Sequence, residues 1–193
     1  MNYPKTRLSR LRYNRNIRNM FEDITVNKSD LIQPIFLVEG KNIKKEIKSL
    51  TGQFQLSIDN AIDFCKSLMN EGVNSIILFG VSSKKDDTGE ISCSSQSIVP
   101  KAIKEIKNKF GDQLLVIADV CNCSYTNHGH CGTIVENDVD NDLTLETLSK
   151  QSLTLAKAGA DVLAPSDMMD GRVQSIRNKL DSSGFEKIPI FPY

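Results

Sequence analysis

The sequence is organised around short apolar segments rich in β-branched residues, separated by longer mixed stretches. These segments are residues 31–40, 75–81, 114–120 and 161–167, and a fifth begins at 188. Each is continuously apolar instead of alternating between apolar and polar residues. That pattern is typical of strands that are buried on both faces of a parallel sheet. It predicts an α/β fold in which helices cover the sheet.

Amphipathic segments lie between the predicted strands and predict four helices. They are residues 57–72, 96–109, 143–160 and 171–185. This alternation fits either a doubly wound sheet or a (β/α)8 barrel. A doubly wound sheet normally carries a glycine-rich phosphate-binding turn after its first strand, whereas Gly40 stands alone there. Polar residues gather where strands end, and we therefore predict barrel geometry.

The length of the chain limits how much of a barrel it can form. A complete barrel needs about 250 residues, and the chain has 193. The sequence predicts the N-terminal portion of a (β/α)8 TIM barrel, with about four βα units plus the start of strand five. Half a barrel leaves sheet edges that natural proteins usually cover. We expect a truncated piece of a longer protein, with completion by a second copy as the alternative.

The N-terminal segment differs in character from the rest. Residues 1–21 contain five arginines and no acidic residue. We interpret residues 1–25 as an N-terminal arm that packs on another subunit, and residues 26–193 as a partial TIM-barrel domain. The alternatives are an organelle-targeting segment and an RNA-contacting arm that uses Tyr3 and Tyr13.

The overall charge of the chain gives no indication of a charged partner. Twenty-four basic residues balance twenty-four acidic ones, which argues for neither nucleic acid nor a membrane as partner. The sequence contains no run of about 18 apolar residues that would predict a transmembrane helix. The arm also lacks the apolar stretch of a secretory signal, so we expect a cytoplasmic protein.

A cluster of cysteine and histidine follows the third predicted strand. Cys121, Cys123 and Cys131 form the pattern C-x-C-x7-C, and His128 and His130 lie inside it. Clustered thiols in a reducing compartment favour metal binding, and three thiolates that leave one position open are typical of catalytic zinc. Either histidine could instead close the site or support it from outside. Structural thiols and a metal-free redox pair are the other interpretations.

Polar side chains also stand at the ends of two neighbouring strands. Asp119 immediately precedes the cysteines, and Ser166 and Asp167 end the next strand. Asp119 could be an active-site acid or hydrogen-bond acceptor, or could fix the loop. Ser166 and Asp167 could support catalysis or could cap the helix that follows. We assign Asp119 and Ser166 supporting catalytic roles.

Several long motifs resemble those of the porphobilinogen synthase family, also called 5-aminolevulinate dehydratases. DVCNCSYTNHGHCG resembles the zinc loop of that family, and APSDMMDGRV resembles its signature after the next strand. Other matching stretches occur in the same order: RLRYNRNIRNM, IQPIFLVEG, FGV followed by KKDDTG, and VDNDLTLETLSKQSLTLAKAGAD. The resemblance covers nearly the whole chain.

The resemblance implies a lyase with a (β/α)8 barrel. Such an enzyme condenses two molecules of 5-aminolevulinate into porphobilinogen, with loss of two waters, in haem and tetrapyrrole biosynthesis. It implies that Cys121, Cys123 and Cys131 hold Zn²⁺, whereas members with carboxylates in their place depend on magnesium. It also implies a homo-oligomer, an octamer in the family, that assembles through the N-terminal arm.

The resemblance further implies two lysines that form Schiff bases with the substrates. Both would lie beyond Tyr193, as would the magnesium-site glutamate. Lys84 and Lys85 follow the second strand, and Lys187 lies at the wrong end of the last one. We therefore expect this chain alone to be inactive. The alternative function is a non-catalytic zinc-binding fragment or a regulatory partner of full-length subunits.

Overall fold

The computed structural model describes residues 2–193, which divide into two compact units. The first unit ends at Asp30 and the second runs from Leu31 to Tyr193. The first contains helix α1 (Arg15–Met20) between two 3₁₀ turns, Leu8–Arg12 and Lys28–Asp30. The Asn14 side chain starts α1 by accepting the Ile17 N–H at 2.9 Å. The boundary after residue 25 stays a prediction.

A six-stranded sheet forms the centre of the second unit. Its strands are β1 (Gln33–Leu37), β2 (Lys44–Glu46), β3 (Phe54–Leu56), β4 (Ser75–Gly80), β5 (Leu115–Val120) and β8 (Val162–Pro165). Their order is β2-β3-β1-β4-β5-β8, and only β2 is antiparallel to its neighbour. A bridge from Leu163 to Ile190 extends the parallel pairing beyond β8. The predicted parallel sheet is therefore confirmed.

Helices cover one face of this sheet. They are α2 (Ile58–Asn70), α3 (Ile98–Phe110), α4 (Asn141–Ala158) and α5 (Arg172–Asp181). The Asp140 carboxylate begins α4 by accepting the Leu143 N–H at 2.9 Å. Among residues 2–193, the helices are too short or too polar to cross a membrane. The predicted helices are thus confirmed, with ends shifted by a few residues.

The two faces of the sheet differ in burial. Ile76 and Leu78 of β4 are fully buried against the helices. Ile77 and Phe79 face the other way and are only half-buried. They line an apolar groove of about 430 Å³ with Ile117, and Phe79 stacks on Phe36 with ring centroids 5.3 Å apart. The expectation that this strand is buried on both faces is therefore wrong for the described residues.

Several short elements lack a sequence signal. β2 and β3 fill the stretch between the first strand and α2, for which the sequence predicts no helix or strand. A hairpin of β6 (Ile134–Val135) and β7 (Asp138–Val139) follows the cysteines. Its two turn residues, Glu136 and Asn137, both have positive φ, at 49° and 69°, which suits the twist of a two-residue hairpin. These additions leave the order of the main elements unchanged.

Candidate metal centre

Three thiols meet beyond the carboxyl end of β5. The Sγ atoms of Cys121, Cys123 and Cys131 all lie within 4.8 Å of one another, and the first two are 3.3 Å apart. Zinc binds thiolates at about 2.3 Å in a tetrahedron, which separates neighbouring sulfurs by about 3.8 Å. The three sulfurs therefore have a spacing that fits zinc, and they leave the fourth position to another ligand.

The thiols of this cluster differ in acidity. A hydrogen bond donated by Cys121 lowers the pKa of the Cys123 thiol below its usual range. The same contact, together with burial, raises the pKa of Cys121. Burial also raises the pKa of Cys131. The hydrogen bond from Cys121 therefore favours the thiolate form of Cys123, which is the form of cysteine that binds metals.

Packing against α4 brings Cys131 back to the other two thiols. The Thr126 hydroxyl donates to the carbonyl oxygen of His130 at 2.8 Å. The Thr133 N–H then donates to the Thr144 hydroxyl of α4 at 3.0 Å. A methyl group added at Gly132 would overlap Thr144, so only glycine lets the backbone approach the helix this closely. Loop and helix together fix the position of Cys131.

The two histidines do not join the thiols. The Nδ1 atom of His128 accepts the backbone N–H of His130 at 3.1 Å. Its Nε2 atom therefore carries the proton and contacts the carbonyl oxygen of Asp87 at 3.1 Å. His130 is exposed, and neither imidazole belongs to the group of ligating atoms that the structure brings together. His128 instead ties the cysteine loop to the loop that follows β4.

Asp119 and Ser166 do meet, as their places at neighbouring strand ends suggest. The Ser166 hydroxyl donates to Asp119 Oδ1 at 2.6 Å, and the Tyr193 hydroxyl donates to the same oxygen at 3.1 Å. Burial raises the pKa of Asp119 to about 6, although both hydrogen bonds oppose the shift. The carboxyl group thus stands beside the thiols with two hydroxyls directed at one of its oxygens.

Asp167 is more buried than Asp119, and its contacts are with residues that follow it closely in the sequence. Its Oδ1 atom accepts the Met169 N–H at 2.8 Å, which fixes the turn after β8. Its Oδ2 atom is 3.6 Å from Arg172 Nε and has no hydrogen-bond partner. Burial raises the pKa of this carboxyl group. The alternative interpretation of Asp167 as the cap of the next helix is wrong, because α5 begins after Gly171 without a side-chain cap and Asp167 instead holds the turn at Met169.

Comparison with known proteins places this site in a family. A family model described as delta-aminolevulinic acid dehydratase matches residues 5–193. The chain belongs to the delta-aminolevulinic acid dehydratase family. A relative from Methanothermus sociabilis with that name is 45% identical over the whole chain, and one from Helicobacter pylori is 45% identical over 97% of it. The chain spans 60% and 58% of their lengths.

A solved structure supports the fold as well as the family. The delta-aminolevulinic acid dehydratase (porphobilinogen synthase) of Toxoplasma gondii, in complex with its reaction product porphobilinogen, superimposes with a TM-score of 0.92 at 35% identity. The match covers 97% of this chain and 54% of that one. The expected α/β fold of the TIM-barrel type is therefore confirmed.

In the part of the chain that the structure describes, four lysines make no hydrogen bond or ion pair with the three thiols or with Asp119. Lys84 and Lys85 are exposed in the loop after β4, and Lys187 is exposed near the opposite end of the sheet. Lys107, the half-buried lysine of α3, binds Asp161 at 2.9 Å.

Sequence reasoning missed two tyrosines at this centre. Tyr193 contacts Asp119 across 74 positions of sequence, and no local pattern announces such a contact. Tyr125 is only 4% exposed, and a Cβ at Gly80 would fall on its hydroxyl. The glycine that ends β4 is the one signal that could have indicated a side chain lying across that strand end.

Proposed function

We propose that residues 1–193 carry the metal-binding part of a porphobilinogen synthase. This enzyme would condense two molecules of 5-aminolevulinate into porphobilinogen with loss of two waters, in tetrapyrrole biosynthesis. One observation carries the proposal: three thiols within 4.8 Å of one another stand beside the hydrogen-bonded Asp119 and Ser166. Family membership supplies the reaction, and a cytoplasmic location stays a prediction.

The proposed metal is Zn²⁺, held by Cys121, Cys123 and Cys131. Thiolates suit zinc, whereas magnesium takes oxygen ligands. When bound, zinc would act as a Lewis acid toward an oxygen atom of the substrate. The Cys121–Cys123 hydrogen bond supports the assignment because it already favours a thiolate in the cluster.

The carboxyl group of Asp119 is proposed to accept and return a proton beside the metal. The Ser166 hydroxyl at 2.6 Å and the Tyr193 hydroxyl at 3.1 Å orient the carboxyl group and form a short path along which a proton can move. In this proposal Ser166 and Tyr193 act through Asp119. Such proton transfer typically contributes about 10²- to 10⁴-fold to a reaction rate.

The same proposal makes the 193-residue chain inactive when alone. The condensation needs lysines that form Schiff bases, whereas Lys84, Lys85 and Lys187 are all exposed. The alternative function is a zinc-binding fragment or regulatory partner of full-length subunits, which would need the thiol cluster but none of these lysines.

The arm is proposed to join copies of the chain, with the octamer of the family as the expected assembly. Large apolar side chains of the first unit are strongly exposed, which supports a role in contact with another subunit. They include Tyr3 at 79%, Met20 at 79% and Ile24 at 78%. The mass of the purified protein in solution tests this part of the proposal.

Two measurements on the purified 193-residue chain test the proposed function. We expect one zinc per chain by elemental analysis, and loss of that zinc when Cys121, Cys123 and Cys131 are all replaced by serine. We expect no porphobilinogen from 5-aminolevulinate, with the full-length Helicobacter pylori relative as the active control. A chain that binds no zinc would overturn the metal assignment.

Product formation by the chain alone would contradict the expectation that the chain is inactive without further lysines. Borohydride treatment in the presence of 5-aminolevulinate then identifies the cause. Loss of activity would mean that a lysine within residues 1–193 forms a Schiff base. Activity that survives would mean chemistry without one.

A further inference from the structure

The carboxylate of Asp86 organises the loop that follows β4. Its Oδ1 atom accepts the backbone N–H groups of Thr88 at 2.8 Å, of Gly89 and of Glu90 at 3.2 Å. Its Oδ2 atom accepts the Ile91 N–H at 2.8 Å. Burial raises the pKa of Asp86, but these hydrogen bonds outweigh it and the net shift is downward. One ionised side chain therefore holds four successive backbone donors.

The backbone of Asp86 pairs with the cysteine loop at the same point. Its N–H donates to the Tyr125 carbonyl at 3.0 Å, and its own carbonyl accepts the Asn127 N–H at 2.9 Å. Tyr125 and Asn127 lie between Cys123 and Cys131 in the sequence. The pairing resembles one rung of a parallel sheet, and it fixes the middle of the segment that carries the thiols.

The turn that Asp86 folds reaches the cysteine loop a second time. The 3₁₀ helix Glu90–Cys93 directs the Ser92 hydroxyl to Asn122 Oδ1 at 3.3 Å. Gly89 packs so closely that an added Cβ would lie 2.9 Å from Asn122 Cβ. Asn122 is fully buried and stands between Cys121 and Cys123. The loop after β4 therefore contacts the cysteine loop both between its first two thiols and before its third.

We propose that Asp86 is a positioning residue for the metal centre, acting through these two contacts and not as a ligand. The inference rests on the proposed metal site. Without the Asp86 carboxylate, four backbone N–H groups lose their acceptor and the segment from Thr88 to Cys93 loosens. The cysteine loop then has to be ordered when the metal binds, and ordering a site during binding weakens affinity.

The test compares metal affinity in Asp86→Asn and the unchanged chain by competition with a chelator. We expect Asp86→Asn to bind Zn²⁺ about tenfold more weakly, the lower end of the effect known for residues that support metal ligands. The amide keeps one acceptor oxygen but places an NH₂ group where Oδ2 accepts Ile91. Asp86→Ala removes both acceptors, so we expect a larger loss.

Cobalt supplies a readout that general destabilisation would not change. With Co²⁺ bound, the intensity of sulfur-to-cobalt charge-transfer absorption reports how many thiolates coordinate the ion. We expect this absorption to weaken in Asp86→Asn even at saturating Co²⁺, because one thiol is no longer held in place. Unchanged affinity together with an unchanged spectrum would overturn the proposal.

The matched control is Asp59→Asn. The carboxylate of Asp59 also accepts a loop backbone N–H, that of Asn42 at 2.8 Å, but this loop lies between β1 and β2. We expect Asp59→Asn to leave zinc affinity and the cobalt spectrum unchanged. Equal losses in the two variants would refute a specific role for Asp86. If the unchanged chain binds neither metal, the proposed metal centre itself fails and the inference falls with it.

Discussion

The two ends of the same parallel sheet are built in opposite ways. At the amino end, Asp161 precedes β8 and accepts Lys107 Nζ at 2.9 and 3.1 Å through its two oxygens. Asp161 Oδ2 also accepts the Val116 N–H of β5 at 2.8 Å. Every oxygen of this carboxylate has a partner, so the charge ties α3, β5 and β8 together.

At the carboxyl end, polar groups are buried with their hydrogen bonding incomplete. In the described part of the chain, buried side-chain atoms without a hydrogen-bond partner include Asn122 Nδ2 and Gln151 Oε1. Asp167 Oδ2 and Arg172 Nε also lack one, although they form an ion pair with each other at 3.6 Å. Unpaired buried polar atoms cost stability, and natural proteins tolerate such costs mainly at functional sites. This difference agrees with the proposed metal centre at the carboxyl end and with a stabilising role for the amino end, the division found in TIM-barrel enzymes.

The largest effect should come from removing a thiolate at the carboxyl end. We expect Cys123→Ser to weaken zinc binding more than about 100-fold, because even residues outside the ligand shell cost about 10- to 100-fold. Chelator competition measures this change. Cys65→Ala is the control, since Cys65 is buried in α2 among apolar side chains and lies outside the cluster. If the Cys123→Ser chain bound zinc with full affinity, the assignment of metal binding to the carboxyl end of the sheet would be wrong.

A mutation at the amino end of the sheet should lower the stability of the fold and leave zinc binding intact. Lys107→Met leaves Asp161 without its cation, at side-chain exposures of 19% for the lysine and 29% for the aspartate. Because the pair is partly buried, we expect a loss of about 2 kcal/mol in the free energy of unfolding, between surface and buried values. Urea unfolding measures it, with the exposed Lys104→Met of the same helix as control. Zinc affinity should not change.

A smaller effect is expected where α4 supports the metal centre. Gln151 Nε2 donates to the Cys121 carbonyl at 3.2 Å, while Gln151 Oε1 has no partner. Gln151→Leu loses one hydrogen bond but also removes one unpaired acceptor, so unfolding should change by less than about 1 kcal/mol. Zinc binding should still weaken measurably, because Cys121 is less firmly held. The exposed Gln113→Leu at the amino end should change neither quantity.

The main elements could be predicted because their signals are local. Residues 75–81 and 114–120 were predicted as strands, and the structure has Ser75–Gly80 and Leu115–Val120. β2 could not be found in this way, because Lys44–Glu46 is charged and exposed. It is a strand only through its pairing with β3, and that partner lies outside any local window.

The restriction to local sequence signals also explains which part of the site could be predicted. Cys121 and Cys123 are only two positions apart, so their spacing alone indicates that they bind the same metal ion. Asp86, by contrast, reaches Tyr125 only because β4 and β5 are neighbours in the sheet. Tyr193 reaches Asp119 only once the chain has passed β8. Such contacts follow from topology, so they become visible only after the fold is known.

The close packing of Gly132 on α4 has a consequence for how sequences of this family vary. A side chain at position 132 would overlap Thr144 and come within 2.8 Å of Val139 Cγ1. A residue at 144 without a hydroxyl would in turn leave the Thr133 N–H without its acceptor. A side chain at 132 therefore needs more space at both 139 and 144, so this turn can change at 132 only when its two neighbours change as well.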